Sequence, residues 1–242
     1  MNYRPSPFAG LPPVTKNLLI INGLFFLATI AMKNALGIDL VDYLGMHMPM
    51  SERFLPHQII SYMFMHGDFG HVFFNMFAVF MFGRTLEAQW GPKRFLTFYV
   101  VTGVGAAIIQ VIVNYITILV IESKLSPEQI QTVYTEGMGV LNRGMNYTNS
   151  LMGQLNLSIN TATIGASGAV FGILMGFGML FPDARLMLLF PPIPIKGKYI
   201  AILALVMGIW LDYRGNVAHF AHLGGMIFAF FMIRYWRKKG NY

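Results

Sequence analysis

The sequence contains no cysteine, and it has few charged residues. Without cysteine there is no disulfide framework, no thiolate metal site and no cysteine nucleophile. Only 11% of the 242 residues are charged, whereas 55% are apolar, and a soluble domain usually has about 25% charged residues. This deficit excludes an ordinary soluble domain and predicts that much of the surface faces lipid.

We also see no signal peptide, internal repeat or low-complexity tract. The first residues, MNYRPSPFAGLPPVTK, contain no apolar run before a cleavage site, so we expect a short tail over residues 1–13. The net charge of +7 forms no single basic patch, because the Lys and Arg residues lie between apolar runs. We therefore expect no nucleic-acid partner and attribute the charge to membrane topology.

Six apolar runs are candidates for membrane-spanning helices, which need about 20 mostly apolar residues. They cover residues 14–36, 70–89, 95–121, 163–181, 199–211 and 217–236. Two long connections separate them, an outer loop over residues 37–69 and a polar insertion over residues 122–162. Within the loop, we expect the semi-apolar stretch 54–65 to lie in the membrane interface or to dip into it.

The distribution of charge predicts that both termini are cytoplasmic. With six alternating spans and the N-terminus inside, 12 of the 17 Lys and Arg residues face the cytoplasm, as the positive-inside rule requires. Of the 10 acidic residues only Glu87 and Asp183 do so. The sequence therefore predicts an all-α membrane protein, with a six-transmembrane-helix bundle over residues 14–236 and cytoplasmic tails at 1–13 and 237–242.

Polar side chains inside a span are energetically costly and usually face the interior of the bundle. Here they are His71 and Asn75 in the second span, Ser167 in the fourth, and His219 and His222 in the sixth. These three spans all run from outside to inside in the predicted topology. At 1.5 Å per residue, Ser167 lies about 6 Å and His222 about 8 Å below the start of its span. The pattern predicts one polar site near the outer face.

This set of groups suits acyl transfer by a serine hydroxyl. Serine is a weak nucleophile until a base takes its proton, and histidine is the usual base. The oxyanion needs preorganised donors, and His71 and Asn75, spaced i and i+4, project from one helix face. No carboxylate is placed to complete a triad, since Asp212 lies in the loop before the last span. We therefore expect a Ser167–His222 dyad.

Glycines are expected to bring the fourth and sixth spans together. Gly168, Gly172 and Gly176 form a small-xxx-small ridge on the fourth span, and Gly224 and Gly225 follow His222 on the sixth. If the two glycine faces meet, the helix backbones approach closely, and the serine and histidine lie side by side.

Each polar residue also has a simpler structural interpretation. Ser167 can be a packing residue beside glycines, Asn75 can join helices by hydrogen bonds, His66 can buttress the loop before the second span, and His219 can be packed, solvated or functional. A metal site is the competing chemistry, but there is no H-E-x-x-H motif and no intramembrane carboxylate beside the histidines. We expect neither metal nor cofactor. The shared depth favours catalysis, because the structural interpretations do not predict it.

Three short motifs resemble the rhomboid family, whose pattern is H-x-x-x-N on the second core span, G-x-S-G on the fourth and A-H-x-x-G on the sixth. This chain reads HVFFN from residue 71, GASG from residue 165 and AHLGG from residue 221. The segment GRTLE from residue 83 also resembles the family's G-x-x-x-E. Each motif alone is weak, but three in order on correctly oriented spans are specific. The resemblance covers about residues 54–236.

The resemblance implies a six-span intramembrane serine endopeptidase that hydrolyses peptide bonds in or near the transmembrane segments of membrane proteins. Ser167 would be the nucleophile, with an amide that serves the oxyanion, and His222 would be the general base and acid. A second set would support them: His71 and Asn75 in the oxyanion hole, Phe171 stacked on the imidazole, and His66 as a mainly structural loop residue. The fifth span would be the mobile gate that admits substrate from the lipid, and Glu87 would tie the inner helix ends together.

The chain departs from the family pattern in two places. The outer loop reads His57-Gln58 where many members carry Trp-Arg, so the usual arginine interaction is in doubt. The insertion over residues 122–162 is longer than in the smallest members. We expect it to be a surface feature, with restriction of access or contact to substrate as the alternative.

Two other classes of function compete with a protease. The first is a catalytically inactive rhomboid-like membrane binding or chaperone protein, but inactive relatives lose the serine or the histidine, and this chain keeps both. The second is a small transporter or metal channel, which the lack of intramembrane carboxylates does not support. We expect the bacterial inner membrane, because no transit peptide is visible and no long soluble domain is attached, with an organellar or archaeal membrane as the alternatives. The substrate and the oligomeric state are not predicted.

Overall fold

The computed structural model describes residues 10–187, 192–211 and 219–240. The predicted start of the last span at Val217 and the loop residue Asp212 fall outside these ranges. The described helices are α1 (Pro13–Leu36), α2 (Val41–Leu44), α3 (Gln58–Ser61), α4 (Phe69–Ala78), α5 (Arg84–Trp90), α6 (Pro92–Glu122), α7 (Pro127–Asn142), α8 (Ser150–Asn160), α9 (Ser167–Leu180), α10 (Ile200–Leu211) and α11 (His219–Lys238). A short hairpin of β1 (Arg185–Met187) and β2 (Pro194–Lys196) lies between α9 and α10.

Several helices have the length and composition of membrane spans. Three helical segments are long and apolar enough to cross a bilayer: α1, α6, and Phe69–Trp90, in which a π-helical segment joins α4 to α5. Two shorter apolar helices are α9 and Gly197–Trp210. Their outward surfaces carry large apolar side chains, such as Leu27, which is 62% exposed, and Trp210, which is 80% exposed. Apolar exposure on this scale marks a surface that is covered by lipid rather than water.

The helix ends follow from local sequence signals. α1 begins with proline at its first position, where no intrahelical N–H is needed. It ends at Gly37, whose φ of 68° is the left-handed conformation that glycine adopts without a steric penalty. Asp68 starts α4, because its Oδ1 accepts a 2.8 Å hydrogen bond from the backbone N–H of His71.

Helix α9 lies at the centre of the bundle, and its glycine ridge faces α6. A Cβ on Gly172 would collide with Thr102 of α6, and one on Gly176 would press on Phe98 of the same helix. The prediction that this ridge meets the glycines of the last span is therefore wrong for its lower part. Among the described glycines of α9 and α11, backbone meets backbone at the start of α9, where a Cβ on Gly225 would collide with the carbonyl of Gly168.

The buried carboxylate of Glu87 holds the start of α1 against the end of the second span. It accepts hydrogen bonds from the backbone N–H of Val14 at 2.8 Å, and from the N–H and the hydroxyl of Thr15, both at 2.7 Å. The first N–H groups of a helix lack intrahelical acceptors and carry partial positive charge, so a carboxylate there is stabilising. Glu87 therefore joins two helix ends at the face of the bundle opposite to Ser167.

The outer loop over residues 37–69 is ordered by the amide of Gln58, which is buried. Its Oε1 accepts the N–H of His47 at 3.2 Å, and its Nε2 donates to the carbonyls of Arg53 at 2.9 Å and Tyr43 at 3.3 Å. The stretch after it turns into the bundle, and the hydroxyl of Tyr62 donates to the carbonyl of Gly103 in α6 at 2.7 Å. A glutamine amide thus supplies hydrogen bonds at the place where the family pattern has arginine.

The insertion contains two helices that pack on the end of α6. A capping box starts α7, because the side chains of Ser126 and Gln129 exchange hydrogen bonds with each other's backbone N–H. Together with Met48 of the outer loop, α7, α8 and the end of α6 bury a separate apolar cluster, which also contains Ile118, Ile121, Val133, Leu155 and Ile159. The 31 residues of α6 are about 46 Å long, which exceeds the hydrocarbon thickness of about 30 Å. Its end is therefore available to carry the insertion outside the hydrocarbon layer.

Candidate active site

Ser167 is the first residue of α9, and not a residue one turn inside a helix as the sequence predicts. The preceding residues are not helical, because Thr163 pairs with Met46 in an isolated antiparallel bridge and Gly165 has a φ of 120°. The N–H of Gly165 also donates to the carbonyl of Tyr62 at 2.9 Å. This extended segment places the serine at the mouth of the bundle, so the predicted 6 Å of helix above it is absent.

His222 reaches Ser167 from the first turn of α11. Its Nε2 lies 2.8 Å from the Oγ of Ser167. The ring is buried, and that of Phe171, one turn after the serine, stacks on it with centroids 4.2 Å apart and planes 15° apart. The close approach of Gly225 to Gly168 brings the two helices near enough for this bond. Ser167, His222 and Phe171 thus come together from two adjacent helix faces.

No carboxylate contacts His222 within the described part of the chain, and the buried Nδ1 has no hydrogen-bond partner there. The backbone next to His222 is instead held by α6. The N–H of Ala221 donates to the Oε1 of Gln110 in α6 at 3.1 Å, and the Nε2 of Gln110 donates to the Oδ1 of Asn114 at 2.8 Å. This buried amide satisfies one of the free N–H groups in the first turn of α11.

His71 and Asn75 present donors beside the serine. A Cβ built on Gly165 would lie 2.7 Å from the Nε2 of His71 and 3.7 Å from the Oγ of Ser167. The imidazole nitrogen and the serine hydroxyl are therefore both within 4 Å of the same position beside Gly165. The Nδ1 of His71 accepts a long hydrogen bond, 3.5 Å, from the N–H of Gly67. Because a backbone N–H only donates, neutral His71 carries its proton on Nε2. The buried Nδ2 of Asn75 has no protein partner among the described residues.

One cavity of about 810 Å³ connects these groups. It is lined by Ser167, His222, His71, Asn75 and Phe171 together with residues of α6, α8 and the segment before α9. Its size falls in the range of about 300–1,000 Å³ that is usual for ligand sites. The arrangement combines a serine bonded to a histidine, unpaired donors and room for a substrate, which is what acyl transfer requires.

Two other histidines lie near the cavity without lining it. His66 is buried and packs edge-on against the ring of His71, with centroids 4.9 Å apart. His219 lies one turn before His222, and the two ring centroids are 6.0 Å apart. Across residues 10–187, 192–211 and 219–240, no three His, Asp or Glu side chains gather as metal ligands.

Several residues that line or support the site are not among those that the sequence predicts. Gln110 and Asn114 carried a usable signal, because they are polar residues spaced i and i+4 inside an apolar run. Leu157, Ser158 and Thr161 of the insertion line the cavity, so the expectation of a mere surface feature is wrong. No local pattern pointed to them, because their position depends on how α8 packs on α6.

Comparison with known proteins identifies relatives over most of the chain. The family model of the Rhomboid domain matches residues 55–239. Rhomboid protein 1, mitochondrial, of Saccharomyces cerevisiae is 28% identical over 171 residues, which are 69% of this chain and 38% of the yeast protein. RHOMBOID-like protein 12, mitochondrial, of Arabidopsis thaliana is 27% identical over 72% of this chain and 44% of its own length. Rhomboid-like protease 1 of Toxoplasma gondii is 23% identical over 72% of this chain and 66% of its own length.

The matched region thus spans about two fifths of the length of the first two relatives. The family and the apolar helices indicate a membrane protein. The two names that specify a location say mitochondrial, so the expectation of a bacterial inner membrane receives no support from them.

Proposed function

Because the chain belongs to the rhomboid family, we propose that it is an intramembrane serine endopeptidase that cleaves membrane proteins in or near their transmembrane segments. The observation that carries this proposal is the 2.8 Å hydrogen bond between the Oγ of Ser167 and the Nε2 of His222. In a packing or binding protein there is no reason for a buried imidazole, stacked on Phe171, to be aimed at a serine at the start of a helix.

In the proposed reaction, the Nε2 of His222 takes the proton of the Ser167 hydroxyl as Oγ attacks the scissile carbonyl carbon. The resulting imidazolium then gives this proton to the leaving amine, and the peptide C–N bond breaks. Water next attacks the acyl-enzyme, with His222 again as base. The second product leaves with a new carboxyl group, and the serine regains its proton. Among the described residues no carboxylate contacts the histidine, so we propose a dyad rather than a triad.

The developing oxyanion would be held by the Nε2–H of His71, the Nδ2–H of Asn75 and the backbone N–H of Ser167. The first two donors border the cavity on one face of α4, and the third lies in the first turn of α9, where N–H groups lack intrahelical acceptors. Donors that are fixed before the reaction need no reorganisation when the charge appears. Phe171 keeps the imidazole plane in place, and His66 packs behind His71 as a positioning residue.

We further propose six spans with both termini in the cytoplasm. Glu87 joins the start of α1 to the end of the second span, and Arg237 of α11 donates to the carbonyl of Met179 near the end of α9 at 2.7 Å. These ends share one face, which is rich in basic residues as expected for the inner side. A cysteine introduced at Lys93 should then be labelled from the inside and one at Ser123 from the outside. The opposite pattern would contradict this topology.

Substrate would have to unwind before cleavage, because an intact helix keeps its carbonyls in its own hydrogen bonds. Access from the lipid beside α10 remains a prediction from the family resemblance. The bilayer and single-span proteins are the partners that this mechanism requires, and no metal or cofactor takes part in it.

The test uses purified protein, a fluorophosphonate probe and a single-span reporter substrate. Wild type should be labelled by the probe and should cleave the reporter, whereas Ser167→Ala should do neither. His222→Ala should lose cleavage, and Ser123→Ala and His219→Ala are matched controls that should keep substantial activity. Full cleavage by Ser167→Ala or His222→Ala would refute the dyad.

The same experiment separates the protease from a non-catalytic binding protein on this fold. That alternative predicts that the reporter co-purifies with the protein but stays intact, and that the probe does not label Ser167. No observation in the structure favours it over the protease.

A further inference from the structure

Helix α8 of the insertion forms part of the wall of the cavity that holds the dyad. Leu157, Ser158 and Thr161 line the same cavity as Ser167 and His222. Leu157 and Ser158 lie in the last turn of α8 (Ser150–Asn160), and Thr161 is the extended residue that directly follows the helix. After α8 the chain continues directly through Thr163, which also lines the cavity, to the serine.

Buried polar contacts fix α8 against α7. The fully buried Asn156 donates from Nδ2 to the carbonyl of Gly137 and to the Oδ1 of Asn146, both at 3.0 Å. Its Oδ1 accepts a 2.8 Å hydrogen bond from the Nδ2 of Asn160. A Cβ on Gly137 would collide with Asn156, so the helices meet at a point where glycine is required.

Apolar contacts fix α8 against α6 as well. Leu155 and Ile159, which point away from the cavity, are buried in one cluster with Ile118 and Ile121 of α6. α8 is therefore held on two sides, and its cavity-facing residues are presented by a packed element rather than by a free loop. A wall of this kind can discriminate between substrates, because it does not yield to a side chain of the wrong size.

The wall combines apolar side chains, such as Phe74, Leu157 and Ile164, with uncharged hydrogen-bonding groups. Apart from the proposed catalytic groups, hydroxyls come from Ser158, Thr161 and Thr163 and amides from Gln110 and Asn114. Asp68 is the one carboxylate among the described residues that line the cavity, and its Oδ1 already caps α4. An acidic side chain would lose its hydration here without gaining a cation, and a bulky apolar one would leave hydroxyls unpaired.

We infer that α8 is a specificity-determining wall, which selects substrates whose extended segment beside the scissile bond carries uncharged, hydrogen-bonding side chains. This inference rests on the proposed function, because it takes Ser167 as the point of cleavage. It gives the insertion a role in substrate choice that the chemistry of the dyad does not require.

Contact with substrate can be tested by disulfide cross-linking without catalysis. The chain has no cysteine, so each introduced thiol is unique. In a Ser167→Ala background, Leu157→Cys is compared with Gln154→Cys, which lies one turn earlier on α8 and outside the cavity lining. The partner is the single-span reporter, with one cysteine moved along the residues around its cleavage position. Position 157 should cross-link to a few neighbouring reporter positions, and position 154 should not.

Selection is tested by kinetics with two reporters, one with Ser, Thr or Asn beside the cleavage position and one with Ala there. Ser158→Ala and Thr161→Val should each lower kcat/KM for the polar reporter about fivefold, the effect of one lost hydrogen bond. The loss should appear in KM rather than in kcat, and the Ala reporter should be unaffected. Gln154→Ala is the control and should behave as wild type.

Two results would overturn the inference: an unchanged ratio between the reporters in Ser158→Ala and Thr161→Val, or cross-linking at position 154 equal to that at 157. Labelling of Ser167 by the small fluorophosphonate, which does not extend along α8, reports on the proposed function separately. If wild type were not labelled but position 157 still cross-linked selectively, the catalytic proposal would fail and the substrate contact of α8 would stand.

Discussion

Replacement of Gly225 by alanine should disable the site without touching a proposed catalytic group. Gly225 lies three residues after His222 on α11, and a Cβ there would overlap the carbonyl oxygen of Gly168, the residue that follows Ser167. Backbone cannot move aside as the end of a flexible side chain can. The new methyl group must therefore separate α11 from α9.

The size of the effect follows from two distances. An ordinary Cβ contact begins at 3.4 Å, so relief of the overlap needs a shift of about 1 Å or more. The Oγ of Ser167 and the Nε2 of His222 are 2.8 Å apart, and the same shift takes them beyond hydrogen-bonding distance. A misplacement of about 1 Å can reduce a catalysed rate about 10²-fold, whereas overpacking costs about 1–3 kcal/mol of stability.

The assay measures kcat on the single-span reporter and the free energy of unfolding in the same detergent. Gly172→Ala is the matched control, since its Cβ would also overlap a neighbour, Thr102 of α6, but away from the contact between α9 and α11. Both variants should lose similar stability, and only Gly225→Ala should lose about 10²-fold in kcat. Gly23→Ala, whose Cβ meets no atom within 4 Å, should resemble wild type. Equal loss of kcat in Gly225→Ala and Gly172→Ala would refute the reasoning.

Three further predictions concern other parts of the molecule. Asn75→Ala removes one proposed oxyanion donor and should lower kcat about 10²–10³-fold with little change in KM. Steady-state kinetics on the reporter measure both constants, and an unchanged kcat would exclude the donor role. Glu87→Gln should lower the free energy of unfolding by about 1–3 kcal/mol, and Thr15→Val should add little to it, because the two side chains share one hydrogen bond; additive losses in a double-mutant cycle would contradict this coupling. Burial, with a smaller effect of Arg53, lowers the pKa of His47 from its usual 6.5, so the folded loop holds the ring neutral. The stability contributed by neutral His47 is then complete above pH 6.5 and falls as the pH drops below it. Hydrogen exchange of residues 45–50 should therefore show less protection at pH 5 than at pH 7, and His47→Gln should abolish this difference in protection.

Much of the helical framework could be predicted from local sequence. The predicted spans 14–36 and 70–89 correspond within one residue at each end to Pro13–Leu36 and Phe69–Trp90, because apolar length and capping residues are local properties. The third predicted span, 95–121, lies inside α6, which begins three residues earlier at the helix-starting Pro92 and ends one residue later at Glu122. The fourth begins four residues later, because the bridge between Thr163 and Met46 keeps that segment extended.

The candidate site could be predicted in its residue types but only partly in its construction. The shared depth of the polar residues and the three family-like motifs selected Ser167 and His222, and the structure brings them within hydrogen-bonding distance. The sequence did not indicate that the side chain of Gln110 would accept a hydrogen bond from the N–H of Ala221. Such a contact joins residues far apart in the chain, and no periodicity encodes it.

Composition and motif order determined, without any coordinates, that this chain is embedded in a membrane and which hydroxyl and imidazole to consider. Hydrophobicity and helical spacing are properties of residues within a few turns of each other, so they can be recognised in the sequence alone. Only the tertiary structure decided that the glycine ridge of α9 faces α6 and that Gly225 of α11 lies against Gly168 of α9. It also decided that α8 forms part of the cavity wall. Each of these depends on which surfaces fit together, because packing at short range selects among helix faces that are equally apolar in sequence.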